Sequence, residues 1–225
     1  MNILVAGGCG YVGTQLVKTL KQRNHKVTIV DLEWFGNNTG QKVINKDIFD
    51  INNNDLSNFD CVIFVYASSC SVYGFTDDKF STETDPTITQ HPYGISKLQG
   101  ERGVLQIADD NFKVIALRKG TVCGYSPRMR LDLVLNIMFK NAISNNIITV
   151  NNPEIWRPIL SIQDAIQAYV NAVEIDAPSG TYNVFSDNYQ IKELAEIVKN
   201  KVEKFIEKPI EIKTLNIQDV RNYKV

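Results

Sequence analysis

Apolar runs alternate with helix-period stretches along the first half of the chain. Ile3-Leu4-Val5-Ala6 is a short uninterrupted apolar run, the pattern of a strand buried on both faces. A helix-like stretch follows from about Tyr11 to Gln22, and Lys26–Val30 predicts a second strand. Val43–Asn45 and Cys61–Ala67 are further strand candidates, the second much the more apolar. Tyr93 to Ala108 has helical spacing, with Ile95, Leu98, Val104 and Leu105 among its apolar positions, and Lys113–Leu117 returns to strand. This alternation predicts an α/β protein with a doubly wound parallel sheet, helices covering both faces.

Past Gly124 the character changes. Leu131 to Ala142, Ile162 to Glu174 and Ile191 to Phe205 read as amphipathic helices. Ile147–Val150, Thr181–Phe185 and Ile210–Thr214 read as short strands, and Asn52-Asn53-Asn54 as a surface turn. No internal repeat or low-complexity tract interrupts them.

Composition narrows the function classes. A chain of 225 residues suffices for one sizeable domain, or a domain with a small lobe. Its 44% hydrophobic and 22% charged residues are ordinary for a soluble globular protein. A net charge of −1 gives no electrostatic case for nucleic acid or an anionic membrane, and no apolar run approaches a membrane span. The four cysteines, Cys9, Cys61, Cys70 and Cys123, have neither disulfide-like pairing nor a Cys/His spacing that suggests zinc. The N-terminus enters a strand without a signal-like segment, so a cytoplasmic protein with reduced thiols and no metal is expected.

The first chemical signal is Gly7-Gly8-Cys9-Gly10-Tyr11-Val12-Gly13, between the first strand and the first helix. A phosphate-binding turn needs backbone close to the ligand, which any Cβ obstructs, and a helix N-terminus whose N–H groups favour a pyrophosphate. Two registers fit: Gly8, Gly10 and Gly13 give G-x-G-x-x-G, whereas Gly7, Gly10 and Gly13 give the wider G-x-x-G-x-x-G. Asp31 closes the second strand about 20 residues on, where a carboxylate accepts hydrogen bonds from adenosine ribose hydroxyls and repels a 2′-phosphate. The cofactor expected is therefore NAD in preference to NADP.

The second signal is Ser69 with Tyr93 and Lys97. Tyr and Lys four residues apart share one helix face. A phenol with a reference pKa near 10 is a poor base at neutral pH. A neighbouring ammonium and a positive nicotinamide ring favour the phenolate. Tyr93 then removes a proton from a sugar hydroxyl while hydride leaves the adjacent carbon, with Ser69 hydrogen-bonding the same oxygen.

Three motifs together resemble the extended short-chain dehydrogenases/reductases, and more narrowly their NAD-dependent epimerase/dehydratase group. They are the glycine turn, Ser68-Ser69-Cys70-Ser71-Val72-Tyr73-Gly74 and Tyr93-Gly94-Ile95-Ser96-Lys97. Trp156-Arg157-Pro158-Ile159-Leu160-Ser161-Ile162-Gln163-Asp164 resembles a later motif whose arginine grips the substrate's phosphates, Asp47-Ile48 the pair that contacts adenine, and Gly180–Val184 a late strand. The resemblance runs from Met1 to about Val202. It implies a Rossmann-type sheet with a small C-terminal substrate-binding lobe. Residues 1–125 would form the NAD-binding domain, joined by 157–185, and residues 126–156 and 186–225 a lobe incomplete by the family's measure.

The resemblance further implies Ser69, Tyr93 and Lys97 as catalytic residues and Gly7, Gly10, Tyr11, Val12, Gly13, Asp31, Asp47 and Ile48 around NAD. The expected substrate is a nucleoside-diphosphate sugar, with Arg157, Arg128 and Asn136 as candidate contacts. It implies epimerisation through a transient keto-sugar; the alternatives are a reductase or oxidase of the same fold and a non-catalytic NAD-binding sensor. A homodimer is expected. Dehydratases of the group carry Asp-Glu where this chain has Cys70-Ser71, which disfavours 4,6-dehydration. One stretch departs from the family pattern: Asp60–Ile63 resembles the start of the fourth strand and Phe64–Ser69 the fifth, with no room for a crossover between them. Either a true deletion or residues absent from the sequence between Ile63 and Phe64 would account for this, and the second is expected.

Overall fold

Why a dinucleotide turn forms at the N-terminus is visible in how the first strand and helix are buried. The computed structural model describes residues 1–59, 63–215 and 221–225. In chain order the first half contains β1 (Asn2–Ala6), α1 (Tyr11–Gln22), β2 (Lys26–Asp31), β3 (Val43–Asn45), α2 (Asn53–Leu56), β4 (Ile63–Tyr66), β5 (Phe75–Phe80), α3 (Pro92–Leu105) and β6 (Lys113–Lys119). The second half contains β7 (Thr121–Cys123), α4 (Val134–Asn145), β8 (Ile147–Asn151), β9 (Trp156–Ser161), α5 (Ile162–Glu174), β10 (Gly180–Val184), β11 (Asp187–Gln190), α6 (Ile191–Ile206), β12 (Glu211–Leu215) and β13 (Asn222–Lys224).

The parallel sheet is in two three-stranded pieces, β3-β2-β1 and β4-β6-β10. Among the described residues no strand pairs with the second edge of β1. Among the described residues Ile63–Tyr66 forms a single strand on β6, where the resemblance implies two. The expected fourth-strand start falls largely outside the described residues, as do Cys61 and the head of the Cys61–Ala67 run.

Helices cover both faces. α1 turns Leu16, Val17 and Leu20 onto Val5 and Ile29, and α5 adds Ile162, Ile166 and Val170 to the same core. That spacing is the 3.6-residue stripe that buries one helix face. Ser161 caps α5, its hydroxyl accepting from Asp164 N at 3.0 Å. Along β6 the side chains alternate: Ile115 and Leu117 pack on Ala172 of α5, while Arg118 faces α3. A separate core joins Met138 and Ala142 of α4, Ile148 and Val150 of β8, and Leu194, Val198 and Val202 of α6.

The boundaries of α3 and α4 differ most from the sequence reading. α3 ends at Leu105 because the chain tightens there, Ile107 N and Ala108 N bonding three residues back to Val104 O and Leu105 O. α4 begins at Val134, not Leu131, since Leu133 is extended. Strands β5, β7, β9, β11 and β13 lack a periodic signature. The antiparallel pairing of β11 with β9 and the parallel pairing of β13 with β5 are long-range contacts that no local pattern encodes. Among the described residues no helix is long and apolar enough to cross a membrane.

Candidate active site

The glycine turn begins where β1 ends. Gly7 takes a left-handed φ of +75°, and its carbonyl accepts from Gly10 N at 3.1 Å. A Cβ on Gly13 would lie 2.2 Å from that carbonyl oxygen and 2.7 Å from Gly8 Cα. The spacing Gly7, Gly10, Gly13 thus closes the turn, while Gly8 is kept small by the Ile29 side chain. Gly10 is the N-cap of α1 and offers no side chain to the first-turn N–H groups. These donors and the helix dipole suit a pyrophosphate. The cradle therefore fits a dinucleotide.

Asp31 braces this turn. Its carboxylate accepts from Cys9 N at 2.9 Å and from Glu33 N at 2.8 Å. The Cys9 thiol is pushed up to about 11, by burial first and then by the charges of Asp31 and Glu33. Asp47 caps the short turn Ile48–Asp50, accepting from Phe49 N at 3.0 Å, and Ile48 is exposed beside it.

Tyr11 and Val12 turn their side chains into the protein, leaving their backbone at the turn. Val12 packs into the core, and the Tyr11 hydroxyl donates to Gly124 O at 2.6 Å. The Asn136 amide donates to the Tyr11 hydroxyl at 3.2 Å and to Arg130 O at 3.0 Å, and its carbonyl accepts from Gly124 N at 3.3 Å. Asn136 thus ties α4 and the loop before it to the head of α1. Arg128 stacks its guanidinium 3.8 Å from the centre of the exposed Phe35 ring, joining that loop to the one after β2.

Ser69 lies at the end of the β4 segment in a parallel bridge with Lys119. It caps the turn Cys70–Tyr73, its hydroxyl accepting from Ser71 N at 3.2 Å and lying 3.0 Å from Ser71 Oγ. Helix α3 starts against that turn. A Cβ at Gly94 would stand 2.2 Å from Thr89 Oγ1 and 2.7 Å from Ser71 O, so only glycine permits this approach. His91 and Pro92 open the helix and set Tyr93 in its first turn, with the ring half-exposed. Lys97 Nζ stands 5.8 Å from the Tyr93 ring centre and 5.6 Å from that of Tyr66. Burial lowers the Lys97 ammonium below its ordinary range, and the Lys119 charge lowers it further.

Arg157 on β9 is buried. It donates to Trp156 O at 2.9 Å and to Arg221 O, and its guanidinium stands 5.3 Å from the Tyr223 ring centre. Tyr223 in turn packs with Cys70, Val72 and Tyr73. The Arg157 motif thus reaches the serine turn through β13. Tyr66, Arg221 and Tyr223 were not singled out from the sequence: Tyr66 is one more aromatic in an apolar strand, and the other two gain their place only by the pairing of β13 with β5. Cys70 is fully buried, its Sγ 3.0 Å from Arg118 O, and burial raises its thiol far above the usual range.

A parallel α/β sheet, a helix-capped glycine turn, and a Tyr and Lys one turn apart beside a strand-end serine define the class of dinucleotide-dependent dehydrogenase-type enzymes. The chain belongs to the NAD-dependent epimerase/dehydratase family, which it matches over residues 3–63 and 55–184, two pieces overlapping at the short junction. It is 31% identical over 149 residues to dTDP-4-dehydro-6-deoxyglucose reductase of Escherichia coli, covering 64% of this chain and 47% of that one. The chain thus spans about half the length of that relative. Among solved structures it resembles an NAD-dependent NDP-hexosamine 5,6-dehydratase, with TM-score 0.85, 20% identity, and 100% of this chain and 88% of that one covered. It also resembles the UDP-glucose 4-epimerase of Thermus thermophilus in complex with NAD, with TM-score 0.83, 19% identity, and 100% and 90% covered.

Proposed function

We propose that the protein binds NAD and epimerises a sugar carried on a nucleoside diphosphate. The observation that carries this reading is the Lys97 ammonium 5.8 Å from the Tyr93 ring, on a helix seated against the Ser69 turn. Bound NAD would supply the hydride acceptor and donor for one sugar carbon. The chain's residues handle the proton. Tyr93 takes it from the sugar hydroxyl and gives it back after the keto-sugar has turned, Lys97 favours the phenolate, and Ser69 hydrogen-bonds the reacting oxygen.

Gly7, Gly10 and Gly13, with the backbone N–H groups of Tyr11 and Val12, hold the pyrophosphate. Asp31 binds the adenosine ribose, and Asp47 with Ile48 flanks adenine. Arg157 grips the substrate diphosphate by a charge-assisted contact, with Arg128 and Asn136 shaping the mouth. The enzyme works as a homodimer, for which exposed Ile95 on α3 offers an apolar contact. Cys70 and Ser71 place no carboxylic acid where a leaving hydroxide needs a proton, which weighs against 4,6-dehydration, although the fold is shared with a dTDP-glucose 4,6-dehydratase.

One observation favours a second reading. The E. coli relative is a reductase, so stoichiometric reduction of a keto-sugar competes with epimerisation. Incubation with UDP-glucose, and separately with dTDP-4-dehydro-6-deoxyglucose and NADH, decides between them. Epimerisation gives a new sugar epimer with no net change in reduced-cofactor absorbance. Steady consumption of NADH without an epimer establishes the reductase, and loss of neither substrate in NAD-loaded protein rejects both for these sugars.

A further inference from the structure

A buried ion pair behind the candidate catalytic residues joins the elements that carry them. Glu101 lies one helical turn beyond Lys97 on α3 and is 2% exposed; Arg118 on β6 is 5% exposed. Arg118 Nη2 donates to Glu101 Oε1 at 2.6 Å, and Nε lies 3.2 and 3.1 Å from the two carboxylate oxygens. The other oxygen, Oε2, also accepts from Ser68 Oγ at 2.6 Å, next to Ser69. Arg118 Nη1 donates to the Tyr73 hydroxyl at 2.9 Å and to Glu83 O at 3.2 Å. The Tyr73 hydroxyl lies 2.7 Å from Asn183 Oδ1 on β10.

We propose that Glu101 and Arg118 are positioning residues, whose forked pair fixes the Ser69 turn and the Tyr93–Lys97 helix in one catalytic register. The inference rests on the enzymatic reading above. A buried charge pair adds little to stability compared with an apolar pair of the same volume, because both charges lose their water. What it adds is direction. A guanidinium fork admits one orientation of the carboxylate, and that carboxylate holds one serine hydroxyl. Ser68 leaves no slack between the fork and Ser69, and Glu101 leaves one helical turn between the fork and Lys97. A slip of the helix along β6 therefore displaces the phenol and the ammonium together from the serine.

Full-length NAD-loaded Arg118→Lys, Glu101→Gln and Ser68→Ala, with Tyr93→Phe alongside, test this using whichever of UDP-glucose and dTDP-4-dehydro-6-deoxyglucose the wild type turns over. Arg118→Lys keeps the charge and loses the fork. For a positioning role, kcat falls by about 10- to 100-fold in Arg118→Lys and Glu101→Gln, while KM and the bound NAD per chain stay within about threefold. A purely structural role lowers folded, NAD-bound protein and leaves kcat per bound NAD unchanged, and that result overturns the proposal. If the charged-pair variants do not fold, Ser68→Ala decides: the ion pair remains, so a several-fold loss of kcat supports the proposal and an unchanged kcat rejects it. Failure of the enzymatic reading is distinguishable, because Tyr93→Phe then turns over like wild type whatever the other variants do.

Discussion

The ammonium of Lys97 stands 5.8 Å from the centre of the Tyr93 ring and close to the charge of Lys119. Lys119 is held in place by a 2.8 Å bond from its Nζ to the Tyr169 hydroxyl. Burial and this second ammonium both disfavour the charged form of Lys97. Its folded-state pKa therefore lies below 10.5, the ordinary value. Between the two, the unfolded chain binds more protons than the folded one, so this group makes stability rise with pH through that window. In the proposed mechanism activity moves the other way, since it needs the Lys97 ammonium beside Tyr93. Lys119→Met is expected to shift the alkaline limb of turnover to higher pH. A limb that stays in place, or moves down, contradicts the assignment.

Gly13 has backbone atoms, not a flexible side chain, in the way of a Cβ. Gly13→Ala must push α1 off the turn, at a cost of about 1–3 kcal/mol in overpacking strain. NAD affinity is expected to collapse along with stability, because the same displacement carries the first-turn N–H groups away from the pyrophosphate. Calorimetric titration with NAD and a thermal melt check the two effects separately.

Cys9 lies in the same turn, 3% exposed, and its thiol is raised to about 11 from 9.0. The neutral thiol is thus favoured by folding. The associated stability is complete below about pH 9 and is lost as pH rises through about 11. Below that range Cys9 should resist alkylation in the native protein and react promptly in denaturant. Peptide mapping after iodoacetamide treatment at pH 8 measures this, and rapid native labelling of Cys9 would contradict the environment described here.

Much of this was legible in the sequence because the decisive features are local. The glycine turn, the helix after it and the Tyr93/Lys97 spacing each occupy no more than a dozen consecutive residues. Steric demands at Gly13 and Gly94 explain why those glycines stand where they do. The short junction at Ile63–Phe64 was also readable, since two parallel neighbours need a crossover, and among the described residues one strand, Ile63–Tyr66, stands there. What escaped is non-local. Arg157 meets Arg221 and Tyr223 across more than sixty residues of chain. Glu101 and Arg118 meet across a helix and a strand. Two signals for that last pair were present all the same: a Glu four residues after Lys97, and an Arg directly after the apolar run Val114–Leu117.

The central claim is that Tyr93 moves a proton beside a bound dinucleotide. Its most direct test is a single-turnover measurement of reduced-cofactor absorbance in NAD-loaded protein after addition of UDP-glucose, for wild type and Tyr93→Phe. The account predicts a transient reduction in wild type and a rate about 10²- to 10⁴-fold lower in the variant, with NAD still bound. Equal rates in the two proteins would contradict it.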